Sequence, residues 1–117
     1  MPQTIELLVE EITDTAHSMR PVMVTAAMTI SGGGVFICDA SGGAFALTLP
    51  AAGSLENDEA RQIIVKKKDS SVNAVTVTRA GSDTIDGSTT YALTAQYDAV
   101  TLVDDDDNDA WNIISTV

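Results

Sequence analysis

The chain predicts an all-β fold: a compact antiparallel β-sandwich or barrel of short strands behind an N-terminal arm. Three observations carry this. After Pro21, apolar residues recur at a period of two in short runs. Clusters of Gly, Ser, Asp and Asn break the runs at the spacing typical of sandwiches and barrels. No helix of ordinary length is signalled beyond Pro21.

The first element, residues 1–21, differs from the rest and reads as an arm or short helix for assembly. Ile5, Leu8, Val9 and Ile12 fall at i, i+3, i+4 and i+7, one face of a helix. Thr4 suits the N-cap and Glu6 the first turn. Glu10, Glu11 and Asp14 lie opposite. Ile, Val and Thr are mediocre helix formers, so an extended arm or added strand is an equal reading. Arg20 precedes Pro21 and so avoids the α region, which ends any helix there.

Residues 22–117 form the predicted β-domain. Val22, Val24, Ala26, Met28 and Ile30 alternate with Met23, Thr25, Ala27 and Thr29 and predict one strand. Ser31 to Gly34 is a turn, Val35 to Cys38 a short strand, and Ala40 to Gly43 a second turn. Ala44 to Leu49 shows Phe45, Leu47 and Leu49 on one face, and Pro50 closes it because proline cannot donate to a ladder. Residues 51–61 are a surface loop with room for one helical turn. Ile63 to Lys67 is a strand with an apolar start and a basic finish. Val75 and Val77 mark the next strand, Thr84 to Asp86 a short extended piece, and Gly87 to Thr89 a reversal. Tyr91 to Thr94, Ala99 to Val103 and Trp111 to Ile114 complete the set, the last two joined by a hairpin loop.

Composition narrows the function. A chain of 117 residues makes one domain that can just sustain its own core. Aromatic residues are only 4%, so the core is lean and gains stability from partner subunits. The net charge of -11 repels phosphate backbones and anionic lipid, which argues against nucleic-acid and membrane-surface partners. No run is long and apolar enough to span a membrane. The acidic start, MPQTIELLVEE, lacks the basic region of a signal peptide, and synthesis in the cytoplasm without general secretory export is expected. Cys38 is the one cysteine, which rules out an intrachain disulfide and predicts a buried strand thiol.

Little in the sequence points to chemistry. His17 is the one histidine, and no G-x-S-x-G elbow accompanies it. Ser31-Gly32-Gly33-Gly34 lacks the phosphate-loop lysine and precedes a strand. Asp104, Asp106 and Asn108 have the 1, 3, 5 spacing of a calcium loop and are weak metal candidates. Asp109 replaces the required glycine and Ser115 the bidentate glutamate, so an EF-hand is excluded. Asp83 and Asp86 invite a glycosidase reading, but turn chemistry explains them better. Lys66, Lys67 and Lys68 read as a basic strand end guarding a sheet edge, or as an interface. Trp111 reads as a packing residue; a sugar platform with Tyr91 and Tyr97 is the alternative. Neither a cofactor nor an enzymatic activity is expected.

The order of VFICDASGGAFALTLPAA, QIIVKKKDSSVNAVTV, SDTIDGSTTYAL, QYDAVTLV and WNII, from about Met23 to Ile114, resembles a β-module of bacteriophage virion proteins. Such modules occur in head decoration (cement or head-fibre) proteins and in tail-fibre tips. The resemblance implies a compact β-module that assembles as a trimer and works by adhesion. It brings no catalytic residues with it. The first reading within that group is a capsid decoration protein, a homotrimer on the major capsid protein at the virion surface. Ile5, Leu8, Val9, Ile12 and Arg20 are then the partner-binding residues. The alternative is a receptor-binding tip adhering to host-surface glycans. The short leader before the module favours the decoration protein, since a fibre tip needs a long shaft.

Overall fold

The computed structural model describes residues 20–53, 62–105 and 109–117. Those residues form an all-β domain of two sheets and contain no helix. The strands are β1 (Val22–Val24), β2 (Met28–Thr29), β3 (Gly34–Cys38), β4 (Phe45–Thr48) and β5 (Gln62–Lys67). They continue with β6 (Val75–Thr78), β7 (Thr84–Ile85), β8 (Thr90–Leu93), β9 (Ala99–Asp105) and β10 (Ala110–Thr116). One sheet has the order β1-β3-β5-β9-β10-β7, the other β2-β4-β6-β8.

The all-β expectation holds, but the pairing is mixed where antiparallel strands were expected. From β1 to β8 the chain changes sheet at every strand. Up to β6 each return to a sheet runs in the direction of its predecessor: β1, β3 and β5 are mutually parallel, as are β2, β4 and β6. Only later do β8 and β9 reverse, antiparallel to β6 and β5, and β10 forms the expected hairpin with β9. A period of two says which side chains point inward; it is the same for either direction of pairing.

The run from Val22 to Ile30 also departs from the single predicted strand. Only Val24 and Ile30 in it are buried, and Thr25 to Ala27 are exposed where the chain crosses from one sheet to the other. Three small residues make a cheap corner there, because none has apolar bulk to hide.

The core lies between the sheets. Phe36, Cys38, Ile63, Val65, Val100, Leu102 and Trp111 come from one inner face, and Leu47, Val75, Val77 and Leu93 from the other. Fully burying one such aliphatic side chain contributes about 1.5–3 kcal/mol. Only Phe36 and Trp111 are buried aromatics, as the lean composition implies. At the Asp86-Gly87 turn both residues have positive φ, 48° and 84°, and Ile85 and Ser88 exchange backbone hydrogen bonds of 2.7 and 2.9 Å across it. This is the two-residue turn whose twist suits a hairpin, and Asp-Gly is the pair that tolerates it.

Candidate functional site

At one end of the sandwich lie the 40–43 turn, the 68–74 link and the 94–98 turn. Lys67 is fully buried there, on the same inner face as Ile63 and Val65. Its Nζ donates to Asp69 Oδ2 at 2.6 Å and to the Asp69 carbonyl at 3.3 Å. The Asp69 side chain, 8% exposed, also accepts from the Ala40 amide at 2.7 Å, the Ser71 amide at 3.1 Å and the Ser71 hydroxyl. Asn73 Nδ2 closes the set on the Ala40 carbonyl at 2.8 Å. Burial alone raises the Asp69 carboxyl; the hydrogen bonds from Lys67 and Ser71 and the Ala40 amide outweigh it and hold the group well below the usual carboxylate range. A buried ammonium and an ionised carboxylate in mutual contact form a structural pair, with no free base or nucleophile left over.

This overturns one reading of the lysine run as an edge guard. β5 is an inner strand between β3 and β9, so Lys66 to Lys68 guard no edge. Lys67 points inward to Asp69, and Lys66 Nζ sits 5.3 Å from the Tyr97 ring centroid. Tyr97 is 57% exposed and holds a positive φ of 72°, with its amide donating to the Lys67 carbonyl at 2.7 Å. Asp98 secures that turn by accepting from the Thr94 and Ala95 amides. Cys38 is buried and free, as expected. Burial, then the charge of Asp69, pushes its thiol up to about 12, which makes it inert.

The opposite end carries Pro50 to Gly53, Asp83, Asp86 and the last hairpin. Trp111 is fully buried and its Nε1 donates to the Pro50 carbonyl at 3.0 Å. It is a packing residue, so no aromatic platform forms with Tyr91 and Tyr97. Asp83 Oδ2 accepts from the Ala52 amide at 2.7 Å, and Asp104 Oδ2 from the Gly53 amide at 3.0 Å. Asp86 Oδ1 accepts from the Ile113 amide at 3.1 Å. Asp83 and Asp86, read from sequence as a possible catalytic pair, and Asp104, a weak metal candidate, thus tie backbone segments together. Asp106 and Asn108 lie outside the described residues, as do His17 and the arm residues Ile5, Leu8, Val9 and Ile12. Arg20 is exposed at the entry to β1. No cluster of three metal-ligating side chains occurs among the described residues, and no helix there is long and apolar enough to cross a membrane.

An open depression of about 360 Å³ lies between residues 25–27 and 42–45, lined by Ala, Gly, Thr25 and Phe45, without a titratable side chain. Each of the two sheets also presents an outer face. On the four-stranded sheet, Thr29, Thr48, Thr78 and Thr90 align in one row and Ala46, Thr76 and Ala92 in the next. On the six-stranded sheet, Met23, Ile37, Lys66 and Ala99 form one row, Val35, Ile64 and Thr101 the next, and Gln62 and Val103 a third. No protein-family model matches the chain, and no curated protein matches it.

The sequence reading missed the Lys67–Asp69–Ser71–Asn73 network. The signal was present: Lys67 continues the inward face of Ile63 and Val65, and an inward lysine requires an acid nearby.

Proposed function

We propose that this protein is a bacteriophage capsid decoration protein, a homotrimer that binds the major capsid lattice and stabilises the head. The observation that carries this reading is how the chemical side chains are used. Lys67, Asp69, Asp83, Asp86, Asp104 and Trp111 each hold one part of the chain to another. The surfaces that remain are broad sheet faces suited to contact. The resemblance of the segment order to phage virion modules favours the same reading, as does the apolar spacing of Ile5, Leu8, Val9 and Ile12 in the sequence.

In this function the arm residues Ile5, Leu8, Val9 and Ile12 supply attachment. Burying four such aliphatics contributes on the order of 6–10 kcal/mol before ordering losses. Three arms on one trimer raise the effective concentration of each, so modest single contacts give tight attachment. The test is co-sedimentation with purified heads. Full-length protein binds; protein lacking residues 1–19 keeps its β-sheet circular dichroism and does not bind. Retained binding by the truncated protein defeats the proposal.

A second reading, a receptor-binding tip for host glycans, draws on Tyr97, exposed beside Lys66. Specific sugar binding on a glycan array, lost in Tyr97→Ala, is the result that favours it.

A further inference from the structure

A sheet edge is a row of unpaired backbone groups, and a fold must shorten, charge, bend or cover it to stay apart from its copies. The two sheets here have four edge strands: β1 and β7 in one, β2 and β8 in the other. β1 has three residues, and β2 and β7 have two each. β10, bare beyond its pairs with β7, shifts register between Ile113 and Ser115 and has the Asp86 carboxylate on its Ile113 amide. β8 has four residues in unbroken register with β6 and none of these devices. From Gly87 to Tyr97 the chain has no charged residue and no proline, in a sequence of 17 acids and 6 bases.

Hydrogen bonds define the open part of this edge. The Arg79 amide donates to the Thr89 carbonyl at 3.1 Å, so in the antiparallel alternation Thr90 and Ala92 turn their N–H and C=O groups away from β6. Ser88 is bridged to Ile85 on that side, and the Thr94 amide donates to the Asp98 carboxylate as the chain enters its next turn. Between these limits no strand among the described residues pairs with β8 there. The open stretch thus runs from Thr90 to the turn at Thr94, and its midpoint is Ala92. Thr90 and Ala92 are exposed, Tyr91 is half-buried against the core and Leu93 is buried.

We propose that β8 pairs antiparallel with β8 of a second copy about a two-fold axis at Ala92, joining the two four-stranded sheets into one. The occupant is a second copy for two reasons. The stretch is self-complementary: Ala92 faces its own equivalent through two backbone hydrogen bonds, and the half-open Tyr91 ring lies beside Leu93 of the second copy. Two chains of net charge -11 also repel each other, and this ladder sets no charged side chain against another. Four residues span only about 13 Å, so the contact is smaller than a standard interface and reversible. It uses no arm residue and no three-fold axis, and so goes beyond the decoration reading.

The test uses full-length protein carrying Ala92→Cys under mild oxidation. Two-fold pairing sets the two Cα atoms about 5.5 Å apart, within disulfide reach. A covalent dimer is expected on non-reducing gels, and none from the parent, whose Cys38 is buried, or from Thr78→Cys on the inner strand β6. In sedimentation, the parent is expected to gain weight-average mass with concentration. Ala92→Glu, at an exposed position, is expected to abolish that gain and keep the β-sheet circular dichroism. No covalent dimer from Ala92→Cys, or a mass gain that survives Ala92→Glu, overturns the inference. A covalent dimer that forms only after removal of residues 1–19 assigns the edge to the chain's own arm and also overturns it. Head binding by the arm is read separately by co-sedimentation, so either proposal can fail alone.

Discussion

The two ends of the sandwich solve the same problem with different chemistry. Each must hold long links between sheets in place. At the Lys67 end, one buried ammonium organises a carboxylate, a hydroxyl and an amide around Ala40. At the Trp111 end, an indole packs in the core and donates to Pro50, while Asp83 and Asp104 take the Ala52 and Gly53 amides. The first device is built around a buried charge pair. The second is built around a buried indole, with carboxylates accepting from backbone amides. The difference teaches that acids of this chain serve in more than one way: Asp69 pairs with a buried lysine, and Asp83 and Asp104 accept from the Ala52 and Gly53 backbone amides.

The sharpest way to break the comparison is at its apolar side. Trp111→Ala leaves a large cavity and an orphaned Pro50 carbonyl, and is expected to cost about 4 kcal/mol in denaturant unfolding. A loss under 1 kcal/mol would mean that the indole is not a keystone of that end. Next is Lys67→Ala, expected to cost about 3 kcal/mol, because it strands Asp69 without its cation. Lys67→Met, which keeps the volume but not the charge, separates packing from pairing: a variant as stable as the parent would show that the ion pair adds no net stability.

A smaller effect follows from Asp69 and sharpens the contrast in pH. Its folded-state pKa lies below that of the unfolded chain, about 3.9 for an ordinary Asp. The unfolded chain therefore takes up the proton first on acidification. The stabilisation is fully present above the unfolded value and is lost as pH falls toward the folded one. Urea melts of the parent are expected to weaken below about pH 4, with a shallower slope in Asp69→Asn. Equal slopes would remove Asp69 from the account. The smallest effect is chemical. Native Cys38 should resist alkylation at pH 8 and react once urea unfolds the chain; rapid native labelling would contradict a thiol raised to about 12.

Much of the fold was legible because alternation is a local property. The inward positions of β3, β4, β5, β6 and β9 follow from Phe36, Leu47, Val65, Val77 and Leu102, each fixed by period two. Direction of pairing is not local. The decision to change sheet at Thr25 to Ala27 depends on which partners lie across the core, and small residues announce no side. The buried pair was half legible: Lys67 shares the inward phase of Val65, yet a run of three lysines reads as surface because charge near the core is costly without a partner. The carboxylates looked like ligands for the same reason that they serve as caps: an oxygen accepts from a backbone amide as readily as it binds a cation.

The strand order has a consequence for how the molecule is made. β7 pairs in its sheet with β10, the strand nearest the C-terminus. A nascent chain can lay down β1 to β6 as it emerges, each rung resting on the one before. β7 must wait, unmoored, until translation has delivered Trp111 and the residues around it. A ribosome stalled a few codons early thus releases a product whose first three rungs are present and whose final closure is missing.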